Sequence, residues 1–304
     1  MESTIEKLTA KSIKTYMRIV KRHPYHWHDA VTIVRVIKGV VKLRFRSKDY
    51  ILKKNDLVIF NVGEIHELEG SMENLVLVTH IDASFCRLVI KEFDTTFILC
   101  NSVIYEKKMP KKYAVLRKLY DALLKDINDS KACTNNEYLF QCAVPMLKYL
   151  CKEFDFISGG QSLKMPGKKI IKRYKTIYQS AIKMNSNYGK ISLKELAEHL
   201  DISYSHLKKD ISVRYGHSYK WLKYASMVQH ACKLILTTND SIMHIGVVCG
   251  FSDPKYLIKY FKIFYKCTPS KFRSIYRDSP KGKNEYLEFS LKEFSGLDHG
   301  PRIF

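Results

Sequence analysis

GFSDPKYLIKYFKIFYK, residues 250–266, writes two opposed surfaces into one short segment. Leu257, Phe261 and Phe264 recur at helical spacing and are expected to face a core. Lys255, Lys259, Lys262 and Lys266 follow at offsets of four, three and four, which lines up their ammonium groups on another side of the same helix. Like charges so placed repel in water, so the ridge is either a solvated face or a surface made for a polyanion. Gly250 permits a turn before the helix, Ser252 or Asp253 suits the cap, and Pro254 suits the first helical turn.

The segment upstream, SIMHIGVVC, puts Ile242, Ile245 and Val248 on the inward face of a supporting helix. A second copy of this helix–turn–helix arrangement lies in ISLKELAEHLDISYSHLKKDISVRYG. There Leu193, Leu196, Ala197 and Leu200 form the inner face of the support, Ser203 caps, and Leu207 and Ile211 pack the second helix back. Outward-facing residues are Tyr204, Ser205, Lys208 and Lys209 in this copy, and Lys255, Tyr256, Lys259 and Lys262 in the other, with Lys266 at the end of its ridge. A helix of this diameter fits the DNA major groove, with its N-terminal half at base edges and lysines further along at phosphates.

Charge is concentrated in the same region. The 304 residues carry a formal charge of +22, and residues 169–277 alone hold 20 Lys+Arg against 6 Asp+Glu, a net of +14. Such an excess favours a nucleic-acid or other polyanionic partner. Periodicity after residue 169 is almost wholly helical, with helices expected over 170–188, 192–200, 203–215, 218–237, 241–249, 253–266 and 269–277. Eight scattered cysteines without a C-x-x-C pair point to reduced, packed thiols. No run of 18 apolar residues occurs, and MESTIEKLTAKSIK is charged where a signal peptide needs an apolar stretch, so no membrane association and a cytoplasmic location are expected.

NDSIMHIGVVCGFSDPKYLIKYFKIFYKCTPSKFR resembles the signature region of the AraC/XylS transcription regulators: an Ile-x-x-Ile helix, Gly-Phe-Ser-Asp, a Tyr-led helix, then Thr-Pro-Ser and Arg. The resemblance extends through ISLKELAEHLDIS and covers residues 170–277. It implies a seven-helix domain whose two helix-turn-helix units, joined by a long helix over 218–237, enter successive major grooves roughly 34 Å apart. Ser205, Lys208, Lys209, Lys255, Tyr256 and Lys259 fall where the family reads bases. Departures are YASMVQHA where the linking helix usually carries Arg, Leu257 in place of Phe, and Lys266 in place of Gly.

Val31 to Asp82 is a succession of short β-rich runs, VTIVRVI, VKLRFR, YIL, LVIF and LVLVTHID, with Gly39 at a hairpin turn. VKLRFR alternates Val41, Leu43 and Phe45 with Lys42, Arg44 and Arg46, giving one buried and one basic face. HPYHWHDAVTIVRVIKG resembles the first cupin motif through His26, His28 and Gly39, with Thr32 at the position of its Glu; NVGEIH adds Gly63 and His66. His26, His28, Thr32 and His66 are therefore the effector-pocket candidates. With the carboxylate missing, neither metal nor cofactor is expected, and His26, His28 and His66 are the residues that would ligate one. His80 and Arg35 read as ordinary barrel residues.

Tyr113, Leu116, Leu119, Tyr120, Leu123, Leu124 and Ile127 make one apolar helical stripe, and Tyr138 to Phe154 carry a second helix around Pro145. The pair suits either dimer contacts or packing on the β-domain. SGGQSLKMPGKK reads as a linker, and the tail, with Tyr286, Leu287, Phe289, Leu291 and Phe294, as one docked helix or a frayed end. The expected organisation is a cupin-like regulatory β-domain (1–105), a dimerising helical hairpin (106–157), a linker (158–168), an all-α domain with two helix-turn-helix motifs (169–277) and a tail (278–304). This α+β multidomain chain is expected to be a non-enzymatic, sequence-specific regulator of bacterial type. Its expected partners are promoter DNA, a second copy of itself, RNA polymerase and a small-molecule effector. The alternatives are a metal-dependent cupin enzyme tethered to DNA and a non-specific nucleic-acid binder.

Overall fold

The computed structural model describes residues 13–46, 48–91, 93–128, 136–155, 173, 176–177, 192–215, 218–278 and 283–291. The expected linker, most of the helix expected over 170–188, and Phe294 lie outside the described residues. The chain divides into two compact units, one of residues 1–165 with 284–304, the other of residues 166–283.

The first unit is built on a nine-stranded antiparallel sheet. Its strands are β1 (Ile13–His26), β2 (Ala30–Lys38), β3 (Val40–Phe45), β4 (Lys48–Lys53), β5 (Leu57–Phe60), β6 (His66–Gly70), β7 (Leu75–Asp82), β8 (Cys100–Asn101) and β9 (Glu285–Ser290). Hydrogen-bonded neighbours run β4-β3-β6-β1-β7-β2-β5-β8, with β9 added on β1. The sheet curls into an open, cupin-like half-barrel. Strand alternation sends Val34, Val58, Phe60, Val76 and Val78 to the inner core, with Val41, Leu43 and Leu68. Ile33, Leu57, Ile59, Leu75 and Leu77 point the other way. That outer face is covered by helices α1 (Ala83–Val89), α3 (Pro110–Asn128) and α4 (Asn136–Glu153), while the short α2 (Ser102–Tyr105) follows β8. β5 is consequently buried at every position, because both of its faces are covered.

Tyr113, Leu116, Tyr120, Leu123 and Leu124 of α3 are buried in the same core as the sheet residues. Their stripe is thus occupied within the unit, and Tyr120 Oη bonds Thr79 Oγ1 of β7 at 2.7 Å. Arg35 of β2 reaches Asp121 of α3, a tie between sheet and helix. Gly39 turns the β2–β3 hairpin at φ 73°, and a Cβ there would lie 2.9 Å from the Asn74 Cα.

Two expectations are corrected, and one strand is added. The alternate face of β3 is not a basic surface, because Lys42 pairs with Asp49 (2.6 Å), Arg44 with Glu67 (2.9 Å) and Glu69 (2.8 Å), and Arg46 with Glu64. The described part of the tail, expected as a docked helix or a frayed end, is instead a strand: β9 pairs antiparallel with β1 from Tyr16↔Ser290 to Arg22↔Glu285. β1 itself lies upstream of the β-rich runs; four basic residues and Pro24 mask its alternation, and its register with β6 shifts between His23 and His26.

The second unit contains α5 (Leu193–His199), α6 (Tyr204–Tyr215), α7 (Tyr219–Thr237), α8 (Ile242–Val248), α9 (Pro254–Tyr265) and α10 (Pro269–Tyr276). Ser192 starts α5 with a full capping box to Glu195, and Ser218, Ser241, Asp253 and Thr268 accept from the first turns of α7, α8, α9 and α10. The 19 residues of α7 make a rod of about 28 Å. Val248, expected inward, is 46% exposed; Cys249 fills the buried place at the end of α8. No helix among the described residues is long and apolar enough to cross a membrane.

Candidate nucleic-acid interface and histidine cluster

The two helical hairpins of the second unit, α5–α6 and α8–α9, turn by the same backbone device. After α5, Leu200 N–H donates to Leu196 O and Ile202 N–H to Ala197 O, both at 3.1 Å, with Asp201 at φ 51°. After α8, Cys249 N–H donates to Ile245 O (2.9 Å) and Phe251 N–H to Gly246 O (3.0 Å), with Gly250 at φ 82°. Each following helix is capped by a short polar residue: His206 N–H donates to Ser203 Oγ (3.3 Å), and Lys255 N–H to Asp253 Oδ1 (2.7 Å).

Four residues beyond each cap comes a fully buried leucine, Leu207 or Leu257, and four further on Ile211 or Phe261. This fixes a common register. Ser205 answers to Lys255, His206 to Tyr256, and Lys209 to Lys259, whereas Lys208 answers to the exposed Ile258. Tyr204, Ser205, His206, Lys208 and Lys209 of α6, Lys255, Tyr256, Lys259 and Lys262 of α9, and Lys266 at its C-cap are all exposed. Among the described residues, none of these six lysines forms an ion pair. His206 is the position that sequence reasoning passed over; aligning the two helices on their caps, rather than on their lysines, would have found it.

Packing holds α9 firmly on α7. Tyr224 stacks on Tyr260 at 4.0 Å between centroids and lies near Phe251 and Tyr256, and Trp221 meets Phe264 at 5.2 Å. Arg273 of α10 donates to Ile235 O (3.3 Å) and Asp240 O (2.8 Å), clamping the α7–α8 turn. Lys266 ends α9 in the left-handed conformation at φ 61°, the place where Gly is the easier residue.

In the first unit the candidates from distant strands converge. His26 and His66 rings lie 4.2 Å apart, His26 and His28 5.0 Å, and His28 and His66 5.8 Å. Thr32 joins them indirectly, bonding His80 Nδ1 at 2.9 Å, while Tyr16 Oη occupies His80 Nε2 at 2.7 Å and the His80 ring lies 4.1 Å from His28. His23 stacks on His26 at 3.4 Å. Burial holds these imidazoles in the neutral form: it drives His26 and His80 down to about 3 and His28 to about 4, and keeps His66 and His23 well below the usual histidine value. Three ring nitrogens, one each from His26, His28 and His66, lie within 4.8 Å of one another.

Two further recesses flank the sheet. One of about 60 Å³ is lined by Phe45, Tyr50, Ile59, Ile98, Asn101 and Tyr105. The other, about 390 Å³, is an open polar cleft between Arg35, Lys54, Asp56, Glu106 and Arg117.

Comparison with known proteins places these features. A helix-turn-helix domain family matches residues 196–275, and an AraC-like ligand binding domain family matches residues 16–76. The transcriptional activator PerA of Escherichia coli O127:H6 (strain E2348/69 / EPEC) is 26% identical over 150 residues, 49% of this chain and 52% of PerA. The xylose operon regulatory protein of Escherichia coli (strain K12) is 26% identical over 125 residues, 38% of this chain and 32% of that protein. The chain thus spans about half or less of these relatives' lengths. The crystal structure of unsaturated fatty acid bound wild-type ToxT from Vibrio cholerae strain SCE256 is 16% identical, with a TM-score of 0.46 over 86% of this chain and 95% of that one.

Proposed function

We propose, on the premise that this chain is an AraC/XylS-type protein joining an AraC-like ligand-binding domain to an AraC-type helix-turn-helix domain, that it regulates transcription by reading promoter DNA. The observation that carries the reading is the matched pair α6 and α9, equally capped and turned, each with exposed lysines that lack acidic partners among the described residues. A cation without a carboxylate is free to exchange counterions for phosphate, which supplies affinity. Ser205, His206, Lys209, Lys255, Tyr256 and Lys259, in the N-terminal halves, are the base-reading residues of this proposal. Lys262 and Lys266 are its phosphate contacts.

The β unit receives the signal, with the pocket around His26, His28, Thr32 and His66 as its effector site. Homodimerisation, contact with RNA polymerase, a cytoplasmic location and the absence of catalysis belong to the same reading. Polar, uncharged Ser205 and Tyr256 at the groove-facing register favour it over non-specific binding, for which cations alone suffice.

Selection of bound duplexes from a random pool tests it. The expected result is a recurrent motif in two parts about one helical turn apart, bound with steep salt dependence. Equal affinity for every duplex overturns sequence reading. Footprinting the bound promoters then identifies the targets and the sign of regulation.

A further inference from the structure

The hydrogen bonds of the clustered histidines have a direction. His26 Nδ1 lies 2.7 Å from the Pro24 carbonyl, and His66 Nδ1 lies 2.9 Å from the Glu64 carbonyl. A carbonyl only accepts, so each Nδ1 carries the proton and each Nε2 is left with a bare lone pair. An imidazole tied to a backbone carbonyl through one nitrogen, with the other free, is the arrangement that orients histidine for a metal ion. His80 differs: both of its nitrogens are engaged by Thr32 and Tyr16, which takes it out of the ligand set.

We propose that His26, His28 and His66 form a three-imidazole site for a divalent transition-metal ion of the zinc and cobalt type. Zinc–nitrogen bonds of about 2.0–2.1 Å place tetrahedral ligand nitrogens roughly 3.3 Å apart, so the present 4.8 Å limit closes by about 1.5 Å on binding. His26 and His28 are only partly buried, which gives an entering ion access. Thr32 replaces the carboxylate that a cupin motif would contribute and is held by His80, so the set is neutral and leaves a coordination position for water or an anion.

The wall of this site includes the strand that follows the helical unit in sequence. His23, stacked on His26, meets the Tyr286 ring at 5.0 Å and has Arg18 Nη1 3.1 Å from its Nδ1. Arg18 opposes a nearby cation, and Glu288 of β9 neutralises it through bonds of 2.8 and 2.6 Å. Occupancy of the site and attachment of β9 are thereby linked. The inference does not depend on whether the helical unit reads DNA.

The test is cobalt titration of the full chain after chelator treatment, followed by optical spectroscopy and displacement with zinc. Expected are one ion per chain, visible bands of tetrahedral nitrogen–oxygen ligation and no thiolate charge transfer in the near ultraviolet. His66→Asn and His28→Asn should each weaken binding by about 100-fold, and Glu288→Gln, which touches no ligand, by about 10-fold. His28, partly exposed where His66 is buried, keeps the test valid should the His66 variant misfold. Binding unchanged in His28→Asn, a thiolate band, or no stoichiometric uptake by the wild-type chain overturns the site. Undiminished binding in Glu288→Gln overturns the link to β9.

Discussion

Arg18 of β1 and Glu288 of β9 share two charge-assisted hydrogen bonds, of 2.8 and 2.6 Å, between residues 270 positions apart in sequence. The guanidinium lies between the faces of Tyr16 and Tyr286, 4.5 and 4.0 Å from the ring centroids. Only 9% of the Arg18 side chain is exposed, so removing its carboxylate partner strands a charge with little access to water. Glu288→Ala should lower the stability of the β unit by about 1–3 kcal/mol, read as a shift in the urea midpoint. The outer Lys14–Glu288 pair, at 3.5 Å with a largely exposed lysine, adds little. An unchanged midpoint would show that β9 is not held by this pair.

The shared register of α6 and α9 separates two residues that lysine counting treats alike. Lys209 stands where Lys259 does, but Lys208 stands where Ile258 does, at the edge of the side proposed to face the groove. Once a binding motif has been selected, His206→Ala and Lys209→Ala should each cost about 1–3 kcal/mol on that motif and less on random duplex. Lys208→Ala should weaken both equally and reduce the salt slope by about 1. The comparison is made by fluorescence anisotropy at several salt concentrations. A selective loss in Lys208→Ala with none in His206→Ala reverses the register.

Arg273, partly buried, ties the helical unit together through backbone carbonyls. Its guanidinium spans two backbone carbonyls, of Ile235 and Asp240, at the end of α7 and beside the start of α8. Arg273→Ala leaves those carbonyls without their charged donor and should lower thermal stability by about 1–3 kcal/mol. Arg273→Lys should recover only part, since an ammonium lacks the planar fork that reaches both. Full recovery in Arg273→Lys would mean that charge, not geometry, makes the contact.

These elements differ in how openly the sequence declares them. The described helices of the second unit, from Leu193 onward, are legible to within a residue or two because caps such as Ser192, Asp253 and Thr268 mark their starts and apolar spacing marks their faces. β9 is not legible, since EYLEFS has charged and apolar residues whose partners, Arg18 and Lys21, lie at the other end of the chain. The histidine cluster is half legible. HPYHWH and NVGEIH name its members, but the pairing of His26 with His66 across β1 and β6, beyond a register shift, is what brings them together, and no local pattern announces it. Nor does the alternation of β3 reveal Asp49, Glu64, Glu67 and Glu69, which neutralise its basic face from neighbouring segments.

Lys266 bears two loads that oppose each other. At φ 61° its backbone is left-handed, a conformation that costs a side-chain-bearing residue roughly 1 kcal/mol and costs glycine almost nothing. Its N–H donates to Lys262 O at 3.0 Å, closing α9, and that bond survives the loss of the side chain. Its ammonium, bonded only to the Ile263 carbonyl among the described residues, ends the lysine ridge. Lys266→Gly should therefore raise the stability of the helical unit by about 0.5–1 kcal/mol. The same substitution should weaken binding to specific and random DNA alike and reduce the salt slope by about 1. Thermal unfolding and a salt titration on one protein preparation measure the two effects separately. A gain in stability with an unchanged salt slope would remove Lys266 from the DNA surface and leave it as a helix terminus alone.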